Sequence, residues 1–147
     1  MSVEKLPPPV WIATPAALHN LADELTACQR IAVDTESNSL HAFREQLCLI
    51  QFSTPQTDYL VDPLALKSIT PLVAIFANPQ IEKVFHAVEY DLICLKRDSD
   101  ISVVNIFDTM QAARILGIHP TSILRRLKKK EEQEKDEKVA KVEAVAK

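Results

Sequence analysis

Glycine is nearly absent from this sequence. Gly117 is the only one in 147 residues, so a glycine-rich loop that cradles phosphate groups is excluded. Turns must instead be built with proline, asparagine and aspartate. Cysteine is also scarce, since Cys28, Cys48 and Cys94 are odd in number, far apart and set among apolar neighbours. This pattern is typical of reduced, buried thiols and argues against both a disulfide framework and a zinc site.

Long hydrophobic runs are missing as well. No apolar stretch approaches the roughly 18 residues that a membrane-spanning helix needs. The extended lead over residues 1–9, which contains Pro7-Pro8-Pro9, lacks the basic and apolar regions of a signal peptide. With 47% hydrophobic residues, the composition predicts a globular protein with one core. The sequence therefore predicts a cytoplasmic protein with no membrane partner.

Charge is divided unevenly along the chain. From His119 onward there are nine Lys and Arg against six Asp and Glu, whereas the preceding residues contain eight against fourteen. An acidic body is a poor match for nucleic acid unless bound cations or the basic tail reverse the local field. The tail, residues 119–147, has few apolar residues and many Glu–Lys pairs at helical spacing. It is predicted to be a solvent-exposed helix or disordered.

Hydrophobic periodicity predicts an α/β domain over residues 10–118. The predicted strands are 10–13, 30–36, 46–53, 58–61, 83–86 and 103–107, and the predicted helices are 14–26, 71–77, 88–97 and 109–116. Short links join the strands over 30–36, 46–53 and 58–61, which suggests an antiparallel meander. Strand and helix then alternate, so the meander is expected to continue into parallel strands of a mixed sheet flanked by helices.

Two acids one residue apart, Asp34 and Glu36, end the apolar strand that begins at Arg30. The period of 2 in a strand puts both on one face, about 7 Å apart at the backbone. Two carboxylates held so close repel each other, and a divalent cation would remove that repulsion. The alternative is an ordinary loop pair, in which Asp34 caps a loop and Glu36 points into water.

A second polar stretch follows the strand predicted over 83–86. His86 lies at the end of that strand, and Asp91 falls in the first turns of the next helix. Strand ends next to helix starts are where α/β sheets place ligands. Each residue also has a plainer interpretation, because the helix dipole favours an acid at its start and His86 could be a hydrogen-bonded packing residue.

Taken together, these stretches resemble a known family. The matching stretches are, in order, Val33–Glu36, Leu49–Gln51, Phe85–Ala87, Tyr90–Leu92, Phe107–Thr109 and Ala112–Gly117. The first is similar to the first exonuclease motif, and the third and fourth to the second motif, of the ribonuclease D-like branch of the DEDD superfamily of 3′-5′ exonucleases. The resemblance covers about residues 10–117 and implies a ribonuclease H-like fold.

The resemblance also implies two-metal hydrolysis of nucleotides from a 3′ end. Two Mg²⁺ or Mn²⁺ ions can activate water and stabilise the leaving oxygen, and such hard cations prefer carboxylate ligands. By resemblance, Asp34 would bridge both ions, Glu36 would hold the ion that activates water, and Asp91 would hold the ion at the leaving group. The implied partner is the 3′ end of a single-stranded nucleic acid, with RNA favoured over DNA.

Five further residues take roles from the same resemblance. Thr35, Leu40, His41 and His86 are assigned to substrate binding, and Asp108 is assigned a supporting or helix-capping role. Leu40 and His41 follow the first motif and could wedge against or stack on the terminal base. They fit an ordinary loop anchor equally well.

The third motif of the family, a Tyr or His followed four residues later by Asp, has no counterpart in this sequence. No Tyr follows Tyr90, and the only Asp after Asp108 is Asp136, which has Glu132 four positions before it. The domain is therefore expected to be truncated at its C-terminal end or frameshifted. An active or impaired exonuclease, a catalytically inactive module that binds nucleic acid or protein, and a hydrolase of small phosphate esters all stay open.

Overall fold

The computed structural model describes residues 7–38 and 44–119. The chain divides into two units, Met1–Thr109 and Met110–Lys147. The elements are, in order, β1 (Val10–Ile12), α1 (Pro15–Thr26), β2 (Arg30–Ser37), β3 (Leu47–Ser53), β4 (Asp58–Val61), α2 (Pro63–Leu66), α3 (Pro71–Ala77), β5 (Glu82–Phe85), α4 (Glu89–Ser99), β6 (Ile106–Asp108) and α5 (Thr109–Ile115). Leu40, His41 and nearly all of the predicted tail lie outside the described residues.

The first unit contains a mixed sheet with the strand order β1-β4-β3-β2-β5-β6. β2, β3 and β4 are paired antiparallel, and the pairs β1–β4, β2–β5 and β5–β6 are parallel. The predicted meander followed by parallel strands is confirmed. The parallel pairing of β1 with β4 was not predicted, because it joins strands that lie far apart in the sequence.

The two faces of β2 differ sharply. Ile31, Val33 and Thr35 are buried, whereas Asp34 and Glu36 are exposed. The buried side belongs to the hydrophobic core, which also takes leucines from α1 and apolar residues from α3 and α4. The alternation confirms that the two acids share one face of the strand.

Two helices of the first unit begin in the same way. Thr14 precedes Pro15 at the start of α1, and its hydroxyl accepts a hydrogen bond from the backbone N–H of Ala17 at 3.3 Å. Asp62 does the same before α2, accepting from two backbone N–H groups at 3.0 Å. The N-cap followed by proline predicted α1 correctly. α2 was missed because its four residues are too few for a periodic pattern.

The last strand begins later than its sequence predicts. Val104 donates its backbone N–H to the carbonyl of Phe76 at 3.0 Å, so it is bonded to the end of α3. Asn105 then adopts a φ of 53°, a left-handed conformation that asparagine tolerates better than most residues. Because of these two features, β6 begins only at Ile106 and ends at Asp108.

In the second unit, α5 ends at a left-handed glycine. Gly117 has a φ of 66° and donates its backbone N–H to Arg114 O at 3.0 Å, while Ile118 donates to Ala113 O at 2.8 Å. This pair of bonds is a Schellman motif, so the predicted role of Gly117 after the helix end is confirmed. Among the residues that the structure describes, none of the helices has the length and apolar character that crossing a membrane requires.

Candidate active site

The candidate site lies where β2 and β5 separate. Their parallel pairing covers only Arg30–Ala32 against Glu82–Val84. Beyond this point β2 continues to Ser37, whereas β5 ends at Phe85 and the chain turns into α4. A gap between parallel strands next to a helix start is a common ligand site in α/β sheets.

Thr35 of β2 holds Asp91 of α4 across this gap. Both the backbone N–H and the hydroxyl of Thr35 donate to Oδ1 of Asp91, at 3.0 and 2.6 Å. Thr35 is 9% exposed and Asp91 is 6% exposed, so both bonds are shielded from water. Because both end on Oδ1, they leave Oδ2 of Asp91 to other partners.

Asp91 is a buried acid with no cationic partner among residues 7–38 and 44–119. Burial raises the pKa of its carboxyl above the ordinary value, the hydroxyl of Thr35 counteracts this, and the charge of Asp34 raises the pKa further. Asp34 is therefore close enough to repel Asp91. A divalent cation would supply the missing positive charge to both.

The carboxylates do not form a closed metal cage on their own. In the described ranges, no three His, Cys, Asp or Glu side chains come close enough together to hold a metal ion. Mg²⁺ is commonly bound through one or two carboxylates, with water and substrate phosphate completing its coordination. Asp34, Glu36 and Asp91 offer only oxygen donors, and the buried Asp91 has no counter-charge among the residues that the structure describes, so these residues fit a hard divalent cation.

Asp108, at the end of β6, binds the turn that leads into α4. Its two carboxylate oxygens accept the backbone N–H groups of Ala87 at 3.1 Å and Val88 at 3.0 Å. Ala87 has a φ of 63°, a conformation that a residue with a Cβ rarely adopts. The two bonds hold this turn immediately before the helix that carries Asp91, which is the kind of contact that a supporting role of Asp108 requires.

His86 is exposed and lies in the same turn. Its Nδ1 is 2.9 Å from the hydroxyl of Thr109, and that hydroxyl donates to the carbonyl of Phe85 at 3.0 Å. Since a hydroxyl has one hydrogen, Nδ1 of His86 must be the donor to Thr109. In the neutral ring Nε2 is then an acceptor.

A polar network at the other end of α4 was not predicted. Ser37 donates to Glu45 at 2.8 Å, and Arg97 donates to the second carboxylate oxygen of Glu45 at 2.6 Å. Arg97 also binds Asp98 with two nitrogens, at 2.6 and 2.8 Å, and Asp98 accepts the backbone N–H of Leu47 at 2.6 Å. These partners come from β2, from the segment before β3, from the first residue of β3 and from α4. Because they are far apart in the sequence, no local sequence pattern predicts the network.

Comparison with known proteins identifies the family. The family described as 3′-5′ exonuclease matches residues 9–142, and this chain belongs to it. Exosome complex exonuclease RRP6 of Saccharomyces cerevisiae is 39% identical over 111 residues, which cover 75% of this chain and 15% of the yeast protein. The chain thus spans less than a sixth of this curated relative.

Solved structures agree with the sequence relatives. The catalytic core of RRP6 from Trypanosoma brucei superposes with a TM-score of 0.73 at 33% identity, covering 80% of this chain and 33% of that one. RNase D of Escherichia coli superposes with a TM-score of 0.65 at 32% identity, covering 71% and 28%. The predicted ribonuclease D-like family within the DEDD superfamily, and its ribonuclease H-like fold, are confirmed.

Proposed function

We propose that this chain carries the metal-binding part of the active site of a 3′-5′ exonuclease that hydrolyses phosphodiester bonds from the 3′ end of RNA. The observation that carries the proposal is the buried carboxylate of Asp91, which Thr35 holds near Asp34 without any cationic partner among the described residues. A buried charge without a partner is costly. A bound cation removes that cost, and the carboxylate becomes one of its ligands.

The proposed metal ligands are Asp34, Glu36 and Asp91, and the proposed cofactor is a pair of Mg²⁺ or Mn²⁺ ions. When bound, such ions activate water and neutralise the charge on a leaving oxygen. The chain itself holds the ligands: Thr35 fixes Asp91, and Asp108 fixes the turn before α4. His86 presents Nε2 as an acceptor, which suits its proposed contact with the substrate.

RNA is the proposed substrate because of the relatives. The yeast relative is named an exosome complex exonuclease, and the Escherichia coli protein is described as an exoribonuclease involved in structured RNA processing. Bound cations would offset the acidic character of the body for a polyanion. The contact of Leu40 and His41 with the terminal base and the cytoplasmic location stay predictions.

A catalytically inactive module is the second candidate. It is favoured by the sequence, which has no Tyr or His followed four residues later by Asp after Tyr90. In this case the same fold would bind a nucleic-acid end or a protein without cutting.

The test uses 5′-labelled single-stranded RNA, and DNA of the same sequence, with Mg²⁺, with Mn²⁺ and with chelator. We expect a ladder of RNA products shortened from the 3′ end, lost in chelator and in Asp34→Ala. Glu89→Gln is the matched control, because Glu89 is an exposed acid in the same helical turn as Asp91. Retained gel-shift binding without any shortening would favour the inactive module, and shortening that survives chelator would overturn the metal mechanism.

A further inference from the structure

The side chain of Thr35 faces away from the acids that flank it. Asp34 and Glu36 lie on the exposed face of β2, whereas Thr35 is buried on the core side. Its hydroxyl is 2.6 Å from Oδ1 of Asp91. With 9% of the residue exposed, this hydroxyl serves Asp91 and is poorly placed to meet a substrate.

The contact fixes the orientation of one carboxylate oxygen. Thr35 donates twice to Oδ1, once from the backbone and once from the side chain. Threonine is branched at Cβ, so its side chain has few rotamers and holds its hydroxyl stiffly. The carboxylate of Asp91 therefore has little freedom to rotate, and its second oxygen keeps a constant position.

We propose that the hydroxyl of Thr35 is a positioning group that holds Asp91 ready to bind a divalent cation together with Asp34. This rests on the proposed function, since it takes Asp91 as a metal ligand. Partners that hydrogen-bond a metal ligand typically change metal affinity by about 10- to 100-fold when they are removed. The hydroxyl thus acts on metal affinity through Asp91, without touching metal or substrate.

Two substitutions separate the hydroxyl from the rest of the side chain. Thr35→Val replaces the hydroxyl with a methyl group of similar size and keeps the backbone N–H that donates to Asp91. Thr35→Ser removes the methyl group and keeps the hydroxyl. A role in packing alone would make the serine variant the more damaging one, whereas positioning makes the valine variant the more damaging one.

The measurement is binding of Mn²⁺ alone to the full chain, followed by the electron paramagnetic resonance signal of free Mn²⁺. We expect the dissociation constant to rise about 10-fold or more in Thr35→Val and to stay within about 3-fold of the wild type in Thr35→Ser. Equal affinities in all three proteins, or a serine variant as weak as the valine variant, would overturn the proposal.

The fold and the activity are followed separately. Circular dichroism in chelator checks that each variant is folded, and Thr35→Ala replaces Thr35→Val if the latter is not. In RNA shortening, we expect Thr35→Val to need more Mn²⁺ for half-maximal rate and to recover most of the rate at saturating Mn²⁺.

Three outcomes separate this proposal from the proposed function. A wild-type chain that binds Mn²⁺ in a Thr35-dependent way but shortens no RNA refutes the exonuclease alone. Shortening by Thr35→Val with unchanged Mn²⁺ dependence refutes the positioning role alone, and a wild type that binds no Mn²⁺ refutes both.

Discussion

Two aspartates of α4 occupy matching positions at its two ends. Asp91 and Asp98 are seven residues, about two turns, apart. Each accepts a backbone N–H from the sheet, Asp91 from Thr35 at 3.0 Å and Asp98 from Leu47 at 2.6 Å. Two aspartates of one helix therefore make the same kind of hydrogen bond to the sheet.

The two carboxylates differ in their charge partners. Hydrogen bonds from Arg97 hold the pKa of Asp98 below its usual value, whereas burial raises the pKa of Asp91. Arg97 in turn bonds to Glu45, so both of these carboxylates have a cationic partner within the chain. The difference fits the proposed roles, in which Asp98 belongs to the scaffold and Asp91, which has no cationic partner among residues 7–38 and 44–119, binds an external cation.

The largest effect on activity is expected from substitution of Asp91. Asp91→Asn should lower RNA shortening by more than about 100-fold, because an amide is a poor ligand for Mg²⁺. In chelator its melting temperature should equal or exceed that of the wild type, since the amide oxygen can accept both bonds from Thr35 and the buried charge is gone. Gel-based RNA assays and thermal melts check both. A clear loss of stability in chelator would show that the charge of Asp91 has a partner within the chain.

Asp98→Asn, in contrast, should lower the stability of the fold and leave RNA shortening nearly unchanged. Its ion pair with Arg97 is lost, so the melting temperature should fall by about 3 °C. RNA shortening at 25 °C should stay within about 3-fold of the wild type, because the metal ligands are untouched. Asp100→Asn, in an exposed pair with Lys96, is the control and should change the melting temperature less. A 100-fold loss of activity in Asp98→Asn would contradict the scaffold role.

The contribution of Asp98 should also disappear in acid. A carboxyl group whose pKa is lowered in the folded state stabilises above its unfolded pKa, near 3.9, and loses this contribution as pH falls through the folded pKa. The stability difference between wild type and Asp98→Asn should therefore be full at pH 6 and shrink below about pH 4. Urea unfolding at several pH values measures it, and a difference that grew on acidification would argue against the pairing with Arg97.

The smallest expected effect concerns Lys83, a buried cation on β5. Its ammonium donates to the carbonyls of Asn78 and Ile81, both at 2.7 Å, and burial lowers its pKa. Because the folded state then binds fewer protons, the wild type should gain stability relative to Lys83→Met as pH rises toward 10.5. Mn²⁺ affinity should not change. A change in Mn²⁺ affinity would contradict the assignment of Lys83 to the scaffold, because it would show that this charge acts on the metal site.

Much of the fold could be predicted because its signals are local. Thr14-Pro15 marked the start of α1, and alternation placed Asp34 and Glu36 on one face. Contacts between distant residues could not be predicted in this way. The hydroxyl of Thr35 donates a hydrogen bond to Asp91, which is 56 positions away in the sequence. Arg97 donates to Glu45 at a separation of 52 positions. Only the pairing of β2 with β5 and the packing of α4 bring such partners together.

Thr35 and Asp91 lie 56 residues apart in the sequence and come together only when the chain folds. An unfolded chain does not hold these residues together, so Mn²⁺ should bind the native state far better than the denatured one. By mass action, a cation at 100 times its dissociation constant then adds about 2.7 kcal/mol to the free energy of unfolding. A series of thermal melts at increasing Mn²⁺ would thus titrate the site without any substrate.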